Sequence, residues 1–279
     1  MSNPSELGAA IVTGASSGIG KVYADRLAAR GHDVVLAARR EDRLRRLAAE
    51  LSERHGVRAE VVVTDLSKPE GVAMLADRIR SDATISMLVN NAGFSAMKPL
   101  TETPDETIAD MIALNVTALT RLSKAALAAF KARGGGALIN IGSGAGFSPY
   151  PGIPVDGATK AYVYLFTQSL QSEVEGTPVR VQLVLPGAVV SEGWEVAGGA
   201  ELESLPPEIV MSTEDLVDAA LRGLDLGETV TAPSVHDEAL LRDYEAAAPA
   251  RSRALSTRRR RRATPGHRET PCEWRSASL

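Results

Sequence analysis

Short runs of apolar residues alternate along the chain with longer stretches in which apolar residues recur at helical spacing. The apolar runs predict buried strands at residues 9–14, 33–39, 58–65, 85–91, 136–142, 179–187 and, more weakly, 228–233. The stretches between them predict helices at residues 18–30, 41–55, 69–80, 105–132, 157–175 and 213–225. Strands separated by helices indicate βαβ units and a parallel sheet covered on both faces. The predicted fold class is therefore doubly wound α/β.

Length and composition predict one folded domain followed by a tail. Of the 279 residues, 44% are hydrophobic and 24% are charged, which is close to the average of soluble globular proteins. We place the domain at residues 1–248 and expect the basic tail, residues 249–279, to be disordered, because periodicity ends there and five arginines follow one another. This run could bind nucleic acid or an anionic membrane, or the tail could be an extension without a selected role.

Charge is unevenly distributed between the two parts. Residues 249–279 carry nine arginines against two glutamates, a balance of +7, so residues 1–248 carry −11 within the net charge of −4. An acidic domain argues against nucleic acid as a partner of the folded part, because attraction to phosphates needs concentrated Lys and Arg.

The sequence contains no signal for a membrane or a metal. No apolar run reaches the ~18 residues of a membrane-spanning helix, and residues 1–10 lack the blocks of a signal peptide, so we expect a cytoplasmic protein with no membrane partner. The single cysteine, Cys272, excludes an internal disulfide. The four histidines are isolated, so no metal site is predicted.

The segment TGASSGIG, residues 13–20, lies between the first predicted strand and the first predicted helix. Gly14 permits a tight turn, Gly18 lets the backbone approach a phosphate, and Gly20 lets helix and strand pack closely. The helix start offers free N–H groups and the positive end of its dipole to a pyrophosphate. The predicted dinucleotide contacts are Gly14, Ser16, Ser17, Gly18, Ile19 and Gly20.

The end of the second strand distinguishes between two cofactors. A carboxylate there holds the ribose 2′-hydroxyl of NAD, whereas arginine accommodates the 2′-phosphate of NADP. Arg39 and Arg40 stand at this place, which predicts NADP(H) in preference to NAD(H). The alternative, that they only solvate a helix start, is weakened because basic side chains oppose the helix dipole there. Asp65 and Leu66 follow the third strand, where an adenine would lie; Asp65 could equally cap the next helix.

Several motifs occur in the order and spacing of one enzyme family. They are TGASSGIG, NNAG at residues 90–93, Asn115, Ser143, Lys160 and PG at residues 186–187. Over residues 8–245 the chain resembles the short-chain dehydrogenase/reductase family. The resemblance implies one Rossmann-type domain with a seven-stranded parallel sheet, assembly into homodimers or homotetramers, and reduction of a carbonyl or oxidation of an alcohol by hydride transfer.

The resemblance also implies roles for residues at matching positions. Asn115 would hold a proton-relay water, Ser143 would polarise the substrate carbonyl, and Lys160 would bind the nicotinamide ribose. The family usually has threonine where Ser191 stands. The further cofactor contacts that the resemblance implies are Asn91, Ala92, Gly93, Pro186, Gly187 and Ser191.

Asp156 departs from the family pattern. Thirteen residues after Ser143 and four before Lys160, the family has a tyrosine that donates a proton to the carbonyl oxygen. A free aspartate titrates near ~3.9, and a lysine one turn away lowers the pKa further, so we expect Asp156 to be ionised. Its side chain is also shorter than that of tyrosine. Because losing a general acid typically costs ~10² to 10⁴ in rate, we expect impaired or altered redox activity.

Three tyrosines are candidate substitutes for the missing proton donor. Tyr150 lies in the loop before Asp156 and could face the substrate, whereas Tyr162 and Tyr164 have the spacing of core or interface residues. The segment 188–211 combines apolar residues with glycines, which is typical of a mobile lid. It predicts a small, moderately hydrophobic carbonyl or alcohol substrate.

Three functions remain open from the sequence. The first is an NADP(H)-dependent oxidoreductase with Asn115, Ser143, Asp156 and Lys160 as catalytic residues. The second is a non-redox pseudoenzyme or partner protein that binds NADP(H). The third is a non-redox lyase or isomerase in which Asp156 acts as a base. The retained Asn115, Ser143 and Lys160 favour catalysis over its loss.

Overall fold

The apolar runs form a parallel sheet in the computed structural model. The structure describes residues 7–190, 192, 209–235, 237, 239–244 and 246–247. The chain divides into two compact units, Met1–Ser234 and Val235–Leu279. In the second unit, residues 239–244 are helical. The predicted tail, residues 249–279, lies outside the described residues.

The strands all belong to parallel sheets. Their bounds are β1 Ala9–Thr13, β2 Asp33–Ala38, β3 Ala59–Val63, β4 Ile85–Asn90, β5 Gly136–Ile141, β6 Val179–Val184, β7 Ala188–Val189, β8 Val210–Met211 and β9 Val230–Thr231. Seven of them form one sheet in the order β3-β2-β1-β4-β5-β6-β9, and β7 pairs with β8. The chain leaves β1 toward β2 on one side and later returns to β4 on the other, so the topology reverses between β1 and β4. Ligands bind beside such a point in doubly wound sheets.

Helices connect the strands. Their bounds are α1 Gly18–Ala29, α2 Glu41–His55, α3 Pro69–Ser81, α4 Asp105–Ile112, α5 Leu119–Arg133, α6 Pro154–Val174 and α7 Thr213–Leu226. Gly56 and Gly134 end α2 and α5 with φ values of 72° and 79°, a conformation that glycine adopts without steric cost. At the start of α7, Ser212 Oγ accepts a hydrogen bond of 3.0 Å from the backbone N–H of Asp215.

The core lies on both faces of the sheet. One apolar cluster joins the sheet to α1, α2 and α7, and the other joins it to α3, α5 and α6. The central strands β1 and β2 are buried along their whole length, which explains their continuous apolar sequences. The prediction that every strand is buried on both faces was wrong for β3, whose residues are half-buried or exposed because it forms an edge of the sheet.

Two predicted helices have different bounds in the structure. The helix predicted over residues 105–132 is α4 and α5 joined by a π-helix, Ala113–Ala118. Helix α6 begins at Pro154 rather than at residue 157, because proline is favoured in the first helical turn, where its missing N–H is not needed. This earlier start places Asp156 within the first turn of α6.

The described part of the fold offers neither a membrane-spanning helix nor a metal-binding cluster. Within the residues described above, no helix combines the length and the apolar character needed to cross a membrane. The same residues contain no group of three or more His, Cys, Asp or Glu side chains that could hold a metal ion. A cytoplasmic location stays a prediction.

Candidate active site and cofactor groove

The glycine turn after β1 has no room for side chains. Gly14 has a φ of +69°, and a Cβ there would lie 2.8 Å from Asn91 Nδ2. A Cβ at Gly20 would lie 2.5 Å from the carbonyl oxygen of Gly14 and from Asn91 Nδ2. Gly18 also has a positive φ, of 52°. The turn therefore presents bare backbone at the start of α1.

The start of α1 adds a positive electrostatic field to this turn. Ser17 is the N-cap residue, with extended backbone. The N–H groups of the first helical turn have no partner within a helix, and they coincide with the positive end of the helix dipole. Ile19 packs its side chain against the core cluster. A helix start of this kind suits a phosphate group.

A basic edge lies beside the glycine turn. Arg39 and Arg40 follow β2, and both are exposed. Arg40 Nε donates to Ser16 Oγ over 3.1 Å, and Arg40 Nη2 donates to Ser17 Oγ over 2.5 Å. Ser16 and Ser17, the predicted phosphate contacts that follow β1, are therefore hydrogen-bonded to Arg40, the predicted phosphate contact that follows β2.

Asp65 and Leu66 lie at the end of β3 in different environments. Asp65 Oδ1 accepts hydrogen bonds from Ser67 N at 2.9 Å and Ser67 Oγ at 2.8 Å. Partial burial raises the pKa of Asp65, but these bonds and the charge of Arg39 lower it more. Lys68, not Asp65, is the N-cap residue of α3. The side chain of Leu66 is buried in the core.

Thr13 connects the glycine turn to the loop after β4. Its Oγ1 donates to the carbonyl oxygen of Val89 at 3.1 Å and accepts from the N–H groups of Asn91 at 2.9 Å and Ala92 at 3.0 Å. Asn91 Nδ2 donates in turn to the Thr13 carbonyl oxygen at 2.9 Å. These bonds fix the NNAG loop at the reversal point of the sheet. Sequence reasoning missed Thr13, although it directly precedes the first glycine.

Asn115 lies in the π-helix, 3% exposed. Its Oδ1 accepts from Phe94 N at 3.1 Å, and its Nδ2 donates to Phe94 O at 2.9 Å and to Thr159 Oγ1 at 3.1 Å. A Cβ on Gly93 would lie 3.0 Å from Asn115 Oδ1 and 3.8 Å from Lys160 Nζ. The structure therefore brings Gly93, Asn115 and Lys160 together. A π-helical turn is frequent at functional sites.

Ser143 follows β5 and begins a short turn that packs on α6. Its Oγ accepts a hydrogen bond of 3.1 Å from Ala145 N. A Cβ at Gly146 would lie 2.8 Å from backbone atoms of α6, and a Cβ at Gly157 would lie 3.3 Å from Ala145 O. These two glycines let the Ser143 turn lie directly against the first turns of α6.

Asp156 has a higher pKa than the sequence predicted. It is 7% exposed. Burial raises its pKa, whereas the charge of Lys160 and a contact with Ser95 lower it by less, so the pKa lies above its ordinary value of 3.8. The predicted direction of this shift was therefore wrong, because desolvation of the carboxylate outweighs the attraction of the ammonium. Burial also lowers the pKa of Lys160, more than the charge of Asp156 raises it.

Ser95 is a further polar group beside Asp156. It lies close enough to lower the pKa of the Asp156 carboxyl. Neither Ser95 Oγ nor Asp156 Oδ1 has a hydrogen bond of normal geometry to any described residue, although both atoms are buried. Such atoms are available to a substrate oxygen or a water. Sequence reasoning missed Ser95, because it lies two residues beyond the NNAG motif.

The three tyrosines differ in their surroundings. Tyr164 is buried, its ring lies 4.8 Å from that of Phe147, and its hydroxyl accepts a hydrogen bond from Gln168 Nε2. The hydroxyl of Tyr162 lies 2.8 Å from Thr120 Oγ1, on the side of α6 that faces the π-helix. Both hydroxyls are thus engaged away from Asp156. Tyr150 is 51% exposed.

The last predicted contacts follow β6. Pro186 O accepts a hydrogen bond of 2.9 Å from Gly144 N, which ties this loop to the Ser143 turn. A Cβ at Gly187 would lie 2.8 Å from Ser234 Oγ. Ser191 lies outside the described residues, as does most of the predicted lid.

The described site residues share one edge of the sheet. They follow the carboxyl ends of β1, β2, β3, β4, β5 and β6, or lie on helices that begin there. Bare glycine backbone, a helix start, two arginines and the half-buried Lys160 lie along this edge, which is the candidate cofactor groove; their donors fit the phosphates and ribose of a dinucleotide.

Comparison with known proteins agrees with this arrangement. Residues 8–198 match the family model described as short chain dehydrogenase. The chain belongs to the short-chain dehydrogenase family. It is 39% identical over 197 residues to sulfoacetaldehyde reductase 2 of Chromohalobacter salexigens, covering 68% of this chain and 76% of that protein. It is 37% identical over 190 residues to the very-long-chain 3-oxoacyl-CoA reductase of Anas platyrhynchos, covering 66% of this chain but only 60% of the longer relative.

Solved structures of the family confirm the predicted fold class. A short-chain dehydrogenase from Sphingobium yanoikuyae in complex with NADPH superposes with a TM-score of 0.85 at 42% identity, covering 94% of this chain and 100% of that one. The bulky-bulky ketone specific alcohol dehydrogenase from Comamonas testosteroni gives a TM-score of 0.80 at 37% identity, covering 92% and 97%. The predicted family and the seven-stranded parallel sheet are both confirmed.

Proposed function

We propose that this short-chain dehydrogenase is an NADP(H)-dependent oxidoreductase that reduces a carbonyl or oxidises an alcohol, with its redox chemistry impaired or altered at Asp156. The observation that carries the proposal is the meeting of Asn115, Lys160 and Gly93 beside the Ser143 turn, at the same sheet edge as the glycine turn. The family resemblance assigns a proton-relay water to Asn115, the nicotinamide ribose to Lys160 and a cofactor contact to Gly93.

NADP(H) is the proposed cofactor, in preference to NAD(H). The Sphingobium relative was solved with NADPH, which supports a similar cofactor here. Arg39 and Arg40 stand at the end of β2 beside Ser16 and Ser17, and a planar guanidinium is well matched to a phosphate. The first exposed carboxylate after β2, Glu41, is instead paired with Arg45 within α2.

Three side chains and the cofactor divide the work in the proposed reaction. Bound NADPH would supply the hydride. The Ser143 hydroxyl would donate a hydrogen bond to the carbonyl oxygen as negative charge develops there. Lys160 would bind the ribose hydroxyls. The protonated carboxyl of Asp156 would donate the proton that completes the alcohol, a role that its raised pKa favours.

The short side chain of Asp156 should limit the rate of this reaction. The side chain is shorter than that of tyrosine, so a proton must cross a longer gap to the same carbonyl oxygen, through Ser95 or a water. Poorly placed general acid catalysis costs up to ~10² to 10⁴ in rate. We therefore expect slow but measurable turnover.

A second candidate function follows from the same carboxyl. A buried aspartate with a raised pKa can also accept a proton from carbon, as a lyase or isomerase requires. In this version the reaction leaves the nicotinamide unchanged. A pseudoenzyme that only binds NADP(H) would bind cofactor and show neither reaction.

Substrate and assembly complete the proposal. We propose a small, moderately hydrophobic carbonyl or alcohol as substrate, and a homodimer or homotetramer as the assembly. Exposed apolar side chains on α4 and α6 support an interface there: Ile112 is 44% exposed, Tyr162 37% and Leu165 63%. Burying such a surface against a second copy is favourable.

A binding titration followed by turnover assays tests the proposal. NADPH and NADH are titrated by fluorescence into the parent chain, Arg39→Gln and the control Arg46→Gln, whose side chain bonds only within α2. We expect tighter NADPH than NADH, a loss of this preference in Arg39→Gln alone, and NADPH consumption with some members of a ketone and aldehyde panel. If neither NADPH nor NADH binds to the parent chain, the proposal is contradicted.

A further inference from the structure

The carboxylate of Glu192, three residues after β7, lies against the arginines at the basic edge of the candidate cofactor groove. Glu192 Oε2 accepts a hydrogen bond of 3.0 Å from Arg40 Nη1 and one of 2.7 Å from Arg43 Nη1. Glu192 Oε1 accepts a second bond from Arg43 Nη1, at 2.8 Å. Glu192 is thus shared by two guanidinium groups, although it lies some 150 positions along the chain from them.

The donors around this carboxylate form a site for a larger anion. Arg40 binds Glu192 through one nitrogen while its other nitrogens bond Ser16 Oγ and Ser17 Oγ. Arg43 adds a second guanidinium from the first turn of α2. Two guanidinium groups hold one anion here, and the two serine hydroxyls position one of these groups, Arg40. A pair of guanidinium groups recognises phosphate through charge-assisted hydrogen bonds. The carboxylate stands where a phosphate would make the same contacts.

We propose that Arg43 is a specificity-determining residue for the 2′-phosphate of NADP(H), and that Glu192 is an internal anion that this phosphate displaces. The inference rests on the proposed cofactor. NADH has no 2′-phosphate and leaves both ion pairs of Glu192 intact. Binding of NADPH therefore releases Glu192 from Arg40 and Arg43, whereas binding of NADH does not.

The charge state of Glu192 fits this competition. Hydrogen bonds from Arg43 and Arg40 lower its pKa, so it stays ionised at neutral pH and competes as an anion. The side chains of Arg40, Arg43 and Glu192 are 43%, 41% and 49% exposed. Ion pairs at this exposure are weak, so the carboxylate can be displaced, and its removal changes cofactor affinity by about 3- to 10-fold rather than by orders of magnitude.

Calorimetric titrations test the inference without relying on turnover. NADPH, NADH and the fragment 2′,5′-ADP are titrated into the parent chain, Glu192→Gln and Arg43→Gln. The matched controls are Glu53→Gln and Arg46→Gln, which remove the same charges from exposed positions of α2. We expect Glu192→Gln to tighten NADPH and 2′,5′-ADP by about 3- to 10-fold, and Arg43→Gln to weaken both by about tenfold. NADH affinity and both controls should stay within about twofold of the parent.

Each alternative result has a distinct meaning. If the parent binds NADPH more tightly than NADH but Glu192→Gln leaves NADPH unchanged or weaker, the inference is wrong while the proposed function stands. If Glu192→Gln instead weakens NADH, the carboxylate binds the ribose 2′-hydroxyl, and the displacement model is overturned. If the parent binds neither cofactor, the proposed function and the inference fail together.

Discussion

At the scale of single residues, the proposed chemistry depends on Asp156, and sequence reasoning captured only part of its environment. The spacing from Ser143 and to Lys160 placed it correctly on the helix that carries the lysine. Its pKa direction could not be read from the sequence, because desolvation depends on how deeply α6 and the Ser95 loop bury the carboxyl. Ser95 and Glu192 were missed for a similar reason: each acts through a neighbour distant in sequence.

The raised pKa of Asp156 predicts a specific pH dependence. If the protonated carboxyl is the proton donor, carbonyl reduction is fastest below its folded pKa and declines as pH rises through that pKa, which lies above 3.8. Alcohol oxidation needs the ionised form and should show the opposite trend. The measurement is kcat/KM against pH in both directions.

An isosteric variant provides the control for this pH dependence. Asp156→Asn keeps the size of the side chain but cannot donate or accept the proton, so it should lose the limb assigned to Asp156. A limb that persists unchanged in Asp156→Asn would assign the titration to another group.

At the scale of secondary structure, a buried chain of polar side chains joins the strands and helices that carry the site. Asn90 Nδ2 donates to Ser123 Oγ and to Asn140 Oδ1, both at 3.0 Å. Asn140 Nδ2 donates to Thr167 Oγ1 at 3.0 Å. These hydrogen bonds thereby connect β4, β5, α5 and α6, the elements that carry or precede the proposed catalytic residues. No local sequence pattern identifies the partners of these side chains.

Removing the central member of this network should destabilise the fold. Asn140 is completely buried. Asn140→Ala removes one hydrogen-bond partner from Asn90 and one from Thr167, and it opens a cavity. We therefore expect it to lower the free energy of unfolding by about 2 to 4 kcal/mol. Urea denaturation measures the loss. Ser169→Ala, which removes an exposed hydroxyl from the same helix α6, should change stability by less than about 0.5 kcal/mol, and an equal loss in both variants would refute a special role for the network.

The order of elements was largely predictable, whereas their bounds and irregularities were not. Apolar runs identified all seven strands of the main sheet, because a parallel strand covered on both faces needs a continuous apolar sequence. The π-helix around Asn115 was missed, since an apolar pattern of helical period does not reveal one extra residue in a turn. The start of α6 at Pro154 was also missed, although proline is favoured in the first turn of a helix.

At the scale of the whole molecule, the exposed apolar side chains of α4 and α6 predict self-association. Sedimentation velocity should give the mass of a dimer or tetramer of the 29.4 kDa chain. Leu165→Lys places a charge in the proposed interface and should shift the distribution toward monomer, whereas Leu226→Lys, at the similarly exposed end of α7, should not. A monomeric parent chain would contradict this prediction.

The proposed function depends on one residue, because we propose that Asp156 stands in place of the proton donor on the scaffold of a short-chain dehydrogenase. The most direct measurement is the rate of NADPH consumption by Asp156→Tyr relative to the parent, on the same carbonyl panel and at equal cofactor saturation. We predict a gain of ~10² to 10⁴, the range that a well-placed general acid contributes. A folded Asp156→Tyr that binds NADPH but reduces no substrate faster than the parent would contradict the account.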